Sequence, residues 1–109
     1  MLTPVFAFQN RVLKKIHPEE IMYFKALGNY IKINLLNGHT VITRSTISEA
    51  VKKFPRGMFI KIHRSYAVSI FHIDNITHDN LEIDHEPIPI GKQFYKSAIA
   101  HLTVIGKSV

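Results

Sequence analysis

The chain has 109 residues, of which 46% are hydrophobic and 20% charged, and it contains no cysteine. This predicts one globular domain without disulfides or thiolate metal sites, in agreement with a cytoplasmic location, and the apolar runs are far shorter than the roughly 20 residues of a membrane-spanning helix. Fourteen Lys and Arg against eight Asp and Glu give a formal charge of +6, which favours a polyanionic partner: nucleic acid, an anionic membrane surface or an acidic protein.

Short runs rich in β-branched and aromatic residues recur along the chain, separated by turn residues, and predict a mostly β, antiparallel fold. The segment YIKINL alternates polar and apolar residues, which predicts a strand with Tyr30, Lys32 and Asn34 on its polar face. Asn37-Gly38 comes shortly after this segment and is the strongest short-range hairpin signal, so TVIT at residues 40–43 is expected to fold back on it.

Two segments show helical periodicity instead. In STISEAVKKFP, apolar residues recur at helical spacing from Ile47, and Thr46 and Glu49 have the spacing of a capping box. In KQFYKSAIAHL, residues 92–102 carry a second apolar stripe, and Gly91 precedes it. We therefore expect two short helices.

Candidate catalytic groups are scattered. The seven histidines show no spacing typical of a metal site and have no neighbouring nucleophile in a recognised pattern, and the glycines form no phosphate-binding motif. A nuclease using His63 would need a metal site that the sequence does not display. We expect no enzyme activity, no catalytic residue, no metal and no cofactor.

Basic and amide side chains, in contrast, cluster near the ends of the predicted elements. The four clusters are Lys25, Asn29 and Tyr30; Arg44 and Ser45; Lys61 to Tyr66; and Lys92, Gln93, Tyr95 and Lys96. Arg, Lys, Asn and Gln suit base edges in the major groove, whereas Ser, Thr, Tyr and Lys suit phosphate. Any one of these positions could be an ordinary solvated one on a basic domain, but the set as a whole favours nucleic acid.

Four segments, GNYIKI, TRST, FIKIHRSYAVS and IPIGKQF, together resemble the LytTR family, the DNA-binding domain of LytR- and AgrA-type bacterial response regulators. The resemblance covers residues 1–102, with 103–109 expected to be a C-terminal tail. It implies antiparallel β-sheets with two short helices and loops that enter successive major grooves. The function it implies is sequence-specific binding of double-stranded DNA, at paired direct repeats, by a cytoplasmic transcription regulator of a two-component system.

The resemblance also assigns roles by position. Base contacts would fall on Asn29, Arg64 and Lys92, where Lys92 replaces a frequent Arg. Phosphate contacts would involve Tyr30, Arg44, Ser45, Lys61, Ser65 and Tyr95 or Lys96. His63 is expected to orient its loop through a backbone hydrogen bond rather than to touch DNA.

Double-stranded DNA is thus the main expected partner, with a second copy on an adjacent half-site. The receiver domain that usually precedes such a domain is not in these 109 residues, so a receiver or signalling partner outside the chain is a further expectation. The alternative function is a β-barrel that binds single-stranded nucleic acid. Its stacking surfaces would be Tyr23, Phe24, Tyr30, Phe59 and Tyr66. These aromatics lie within apolar strand patterns, which favours core packing instead.

Overall fold

The computed structural model describes residues 2–108. Most of its regular structure is β, in ten strands: β1 Val5–Gln9, β2 Val12–Ile16, β3 Ile21–Leu27, β4 Tyr30–Leu35, β5 Thr40–Arg44, β6 Phe59–His63, β7 Tyr66–Ser69, β8 Ile73–Ile76, β9 Asn80–Ile83 and β10 Glu86–Pro89. Two short helices, α1 Ile47–Val51 and α2 Tyr95–Ala100, complete the fold together with single turns of 3₁₀-helix. The predicted fold class, mostly antiparallel β with two short helices, is confirmed.

The strands form three antiparallel sheets. β1 and β2 form a hairpin, β8, β9 and β10 form a three-stranded sheet, and the central sheet has the order β5-β4-β3-β7-β6. Every neighbouring pair in the central sheet is antiparallel. The β3–β4 turn, the last residue of β5 and the β6–β7 turn therefore lie at the same end of that sheet.

Each face of the central sheet carries its own core. On one face, Phe24, Ile31 and Phe59 pack with Ile16 of the hairpin and Ile47 of α1. On the other, side chains of the central sheet pack against the three-stranded sheet and α2; this core includes Tyr23, Ile60, Ile62, Val68, Leu81, Ile83, Ile88 and Ala98. The two cores hold the strand ends in fixed positions, because the central sheet is supported from both sides.

The locally encoded elements form as predicted. Thr46 is the N-cap of α1, and its hydroxyl accepts a hydrogen bond from Glu49 N–H at 3.1 Å. In the hairpin after β4, Asn37 and Gly38 have φ values of 68° and 77°, the left-handed region that Asn and Gly tolerate. β5 then pairs with β4 in antiparallel register.

The β4 residues alternate between two faces as predicted, but one polar residue of this strand is buried. Asn34, expected on a polar strand face, is only 9% exposed. It lies opposite Tyr23 on β3, and Tyr23 belongs to the core beneath the three-stranded sheet. The polar face of β4 is thus covered at this point by a layer that strand periodicity alone does not reveal.

Candidate nucleic-acid interface

The β3–β4 turn places Asn29 and Tyr30 at one end of the central sheet. Gly28 adopts φ 61°, which lets the chain reverse within two residues. Asn29 is exposed at the tip, and Tyr30 is 46% exposed. Tyr30 lies directly opposite Arg44 in the β4–β5 register, so the turn and the end of β5 present adjacent polar side chains.

The β6–β7 turn is held at two points. Ser65 N–H donates to His63 Nδ1 at 3.0 Å, and Ala26 N–H, near the end of β3, donates to Ser65 O at 2.9 Å. The His63 ring also packs edge-on against Tyr66, with 5.6 Å between centroids. Since Nδ1 accepts, a neutral His63 ring carries its proton on Nε2. Arg64 is exposed at the tip of this braced turn.

Lys92 lies at the same end of the central sheet, in the connection from the three-stranded sheet to α2. Gly91 follows β10, and its N–H donates to Ile62 O on β6 at 2.8 Å. A Cβ at position 91 would lie 2.8 Å from the Phe94 ring, so a larger residue there would have to displace this ring. Lys92 is exposed next to this joint. We call the surface formed by residues 28–30, 44–45, 63–65 and 91–92 the turn end.

Several predicted contact residues meet in one concavity at the turn end. Its volume is about 170 Å³, and its lining includes Tyr30, Ser45, Lys61 and Arg64. The Ser45 hydroxyl donates to Thr46 O at 2.9 Å, which occupies its only hydrogen. Strand order explains this convergence, because β4 and β6 are separated in the sheet only by β3 and β7.

The remaining predicted phosphate contacts lie beyond β6. Tyr95 is half-buried and packs against the core under the three-stranded sheet, whereas Lys96 is exposed on α2. Neither lines the concavity that Tyr30 and Arg64 share. Of this pair, Lys96 is the exposed residue and the one that carries a positive charge.

The structure brings a further element to the turn end that the sequence did not single out. Asn10, in the β1–β2 turn, lines a second concavity of about 630 Å³ together with Tyr30 and Arg44. An asparagine between two β-type runs signals a turn. No sequence signal indicates that this turn lies beside β5, because that placement depends on tertiary packing.

Charge is distributed unevenly over the layers. Residues 73–89, which we call the acidic layer, include five of the eight acidic residues, Asp74, Asp79, Glu82, Asp84 and Glu86, while residues 65–91 contain no Lys or Arg. Tyr23 links the central sheet to this layer by donating its hydroxyl hydrogen to Glu86 Oε1 at 2.9 Å. Burial, reinforced by the hydrogen bond to Glu86 and by the charges of Glu86 and Tyr66, raises the pKa of the Tyr23 phenol.

Within residues 2–108, no group of three or more His, Cys, Asp or Glu side chains could hold a metal ion. No helix in the same part of the chain is long and apolar enough to cross a membrane.

Comparisons with known proteins bear on the fold and on the family. A solved LytTr DNA-binding domain, from a Bacillus cereus protein described as a methyl-accepting/DNA response regulator, superposes with a TM-score of 0.77 at 21% identity, covering 93% of this chain and 97% of that one. An uncharacterized response regulatory protein of Vibrio cholerae is 29% identical over 91 residues, which cover 76% of this chain but only 33% of that protein. The family model for the LytTr DNA-binding domain matches residues 11–103. The chain belongs to the LytTr DNA-binding domain family.

Proposed function

We propose that this domain binds double-stranded DNA sequence-specifically for a bacterial transcription regulator, with the turns of the turn end entering successive major grooves. The observation that carries the proposal is the convergence of Asn29, Arg64 and Lys92, from three separate connections, at one end of a sheet packed on both faces.

The residues at and around the turn end fall into two groups, those proposed to contact bases and those proposed to contact the sugar-phosphate backbone. The Arg64 guanidinium can donate to guanine O6 and N7 together, Asn29 can pair with adenine, and Lys92 offers a point charge to guanine. The proposed contacts to the sugar-phosphate backbone lie around these tips: Tyr30, Arg44, Ser45, Lys61, Ser65 and Lys96. Tyr95 has a packing role. His63 acts through the turn, because its Nδ1 holds the Ser65 N–H.

The central experiment compares three ligands at fixed salt: a duplex selected by this domain from a random pool, one strand of that duplex, and a scrambled duplex. We expect tight binding to the selected duplex only. If about five phosphates are neutralised, log K falls against log salt with a slope of roughly −4 to −5. Equal binding to all three ligands would contradict the proposal, and cleavage on adding a divalent metal would indicate an enzyme.

Paired direct repeats are the arrangement of sites that we propose, because a domain of this size covers few base pairs. Two copies would then occupy half-sites about one helical turn apart on the same face of the duplex. Inserting about half a turn between the repeats should weaken occupancy of the second site. Unchanged occupancy would indicate independent monomers.

The alternative, stacking of single-stranded bases, has little support in the arrangement of the aromatic rings. Phe24, Phe59 and Tyr23 are 0%, 5% and 7% exposed. Tyr66 is half-buried and Tyr30 is the most exposed of the five. A stacking platform needs ring faces open to solvent. All of these rings except Tyr30 belong to the two cores or pack against them.

We further propose that the domain acts in the cytoplasm together with a receiver or other signalling partner outside this chain. The V. cholerae relative supports this, because the matched region is only a third of that response regulatory protein. Such a partner would control DNA occupancy rather than supply contacts to bases.

A further inference from the structure

The β1–β2 turn, Asn10 and Arg11, lies at the turn end although it belongs to a separate sheet. Gln9 pairs with Val12, so these two residues form the whole turn. Asn10 adopts φ 58°, a left-handed conformation that asparagine tolerates better than most residues. Arg11 follows and is exposed.

A side-chain bond fixes the position of this turn. Gln9 Oε1 accepts a hydrogen bond from Ile42 N–H at 3.1 Å. Ile42 lies on β5, the edge strand of the central sheet, and β1 contacts this strand. The hairpin is thereby anchored beside β5 and close to Arg44 at its end.

The concavity between the hairpin and the central sheet suits a sugar-phosphate chain. It measures about 630 Å³, and Asn10, Tyr30 and Arg44 provide polar groups on its walls. Phe8 and Ile42, 59% and 43% exposed, form apolar walls that can pack against deoxyribose. Arg11 is the exposed turn residue next to Asn10, which lines this space, and its guanidinium is the forked donor that suits phosphate oxygens.

We propose that the Asn10–Arg11 turn is an additional DNA contact that binds backbone phosphates flanking the sequence read by the turn end. The contact would lie on the side of the turn end that is formed by β5. From the hairpin across the central sheet to β6 and α2, the order of the residues is Arg11, Arg44, Tyr30, Arg64 and Lys92. The inference rests on the proposed function, since it extends the same DNA footprint by one element. A flanking position favours backbone over base contact.

The test combines a charge substitution with trimmed DNA. Arg11→Ala should weaken binding to a long selected duplex and to a long scrambled duplex alike, by roughly fivefold, and should make the salt slope shallower by about 0.9. Removing the flank on one side of the selected site should abolish this difference from wild type. Removing the other flank should leave it intact.

Lys15→Ala is the matched control. Lys15 is an exposed cation on the same hairpin, but it pairs with Phe6 near the opposite end of the hairpin from the turn. The Lys15→Ala variant should bind DNA as tightly as wild type at every duplex length. Thermal unfolding of both variants should match wild type, because each replaces an exposed side chain.

Three outcomes would overturn the inference. In the first, Arg11→Ala binds DNA as tightly as wild type and Lys15→Ala do. In the second, the binding defect of Arg11→Ala persists when either flank is removed. In the third, Arg11→Ala loses affinity for the selected duplex alone, which would indicate base contact. Each leaves the proposed function standing if the wild-type domain still prefers its selected duplex. A wild-type domain that binds no duplex would overturn both.

Discussion

The turn end and the acidic layer meet at β6, yet they carry opposite charge. Arg44, Lys61, Arg64 and Lys92 cluster at or beside the turns, while residues 73–89 contribute five carboxylates and no Lys or Arg. The formal charge of +6 is therefore distributed unevenly over the molecule. A duplex should be repelled by the side that carries the acidic layer, so we expect the charge distribution to orient the encounter as well as to strengthen it.

The two regions also differ in how their chain is held. At the turn end, main-chain bonds from Ala26 to Ser65 and from Gly91 to Ile62 fix the tips while their side chains remain exposed. The acidic layer is joined to the central sheet by packed aliphatic residues and by the bond between Tyr23 and Glu86. Substitutions at the turn end should therefore change binding, whereas those at the junction should change stability.

Arg64→Ala should produce the largest change in binding. Losing a bidentate contact to guanine should cost about 1–3 kcal/mol on the selected duplex and much less on scrambled DNA. Competition binding measures both values, and thermal unfolding checks that the fold is intact. Equal losses on the two duplexes would reassign Arg64 to the backbone and leave base reading to Asn29 and Lys92.

Tyr23→Phe should test the junction with the acidic layer. Losing the bond to Glu86 should lower stability by about 1 kcal/mol, measured by chemical denaturation near neutral pH. The raised pKa adds a pH dependence: above about pH 10 the unfolded chain loses the phenolic proton while the folded chain retains it, so wild-type stability falls as pH rises. The variant should lack this component. Parallel stability curves for the two proteins between pH 9 and 11 would contradict this account.

Arg44→Ala should have a smaller and less selective effect. One lost phosphate contact should weaken selected and scrambled duplexes alike, by a few-fold, and reduce the salt slope by about 0.9. Binding titrations at several salt concentrations measure the slope. An effect confined to the selected duplex would place Arg44 among the base-reading residues.

Glu82→Gln should have the smallest effect. It removes one half-buried carboxylate from the acidic layer without introducing a new charge. Affinity for scrambled DNA should rise by at most about twofold at low salt, and the difference should vanish near physiological salt because distant charges are screened. A larger rise that resists salt would mean that DNA approaches this layer closely.

Local signals were sufficient for the parts of the fold that depend on neighbouring residues. Thr46 with Glu49, and Asn37 with Gly38, specify a cap and a turn through contacts within a few residues. The burial of Asn34 could not be predicted, because alternation identifies the faces of a strand but not what covers them. The covering layer begins almost forty residues later in the chain.

The candidate site could also be predicted only in part from the sequence. Residue chemistry placed Asn29, Arg64 and Lys92 within four larger clusters of candidate donors. The family resemblance assigned their base-reading roles, and their convergence depends on long-range strand order. The Ser45 bond to Thr46 O and the position of Asn10 beside Arg44 depend on geometry that residue type does not encode. The assigned contacts with DNA stay predictions until the variants are measured.

The main-chain joints at Ser65 and Gly91 have a consequence for redesign. Because Ala26 N–H and Gly91 N–H bind carbonyl oxygens, the joints do not depend on which side chains stand at positions 29, 64 and 92. A library randomised at these three positions would therefore vary the chemistry of the tips on a constant frame. If Gly91 and the His63 acceptor are retained, new target sequences can be selected with little loss of folded protein.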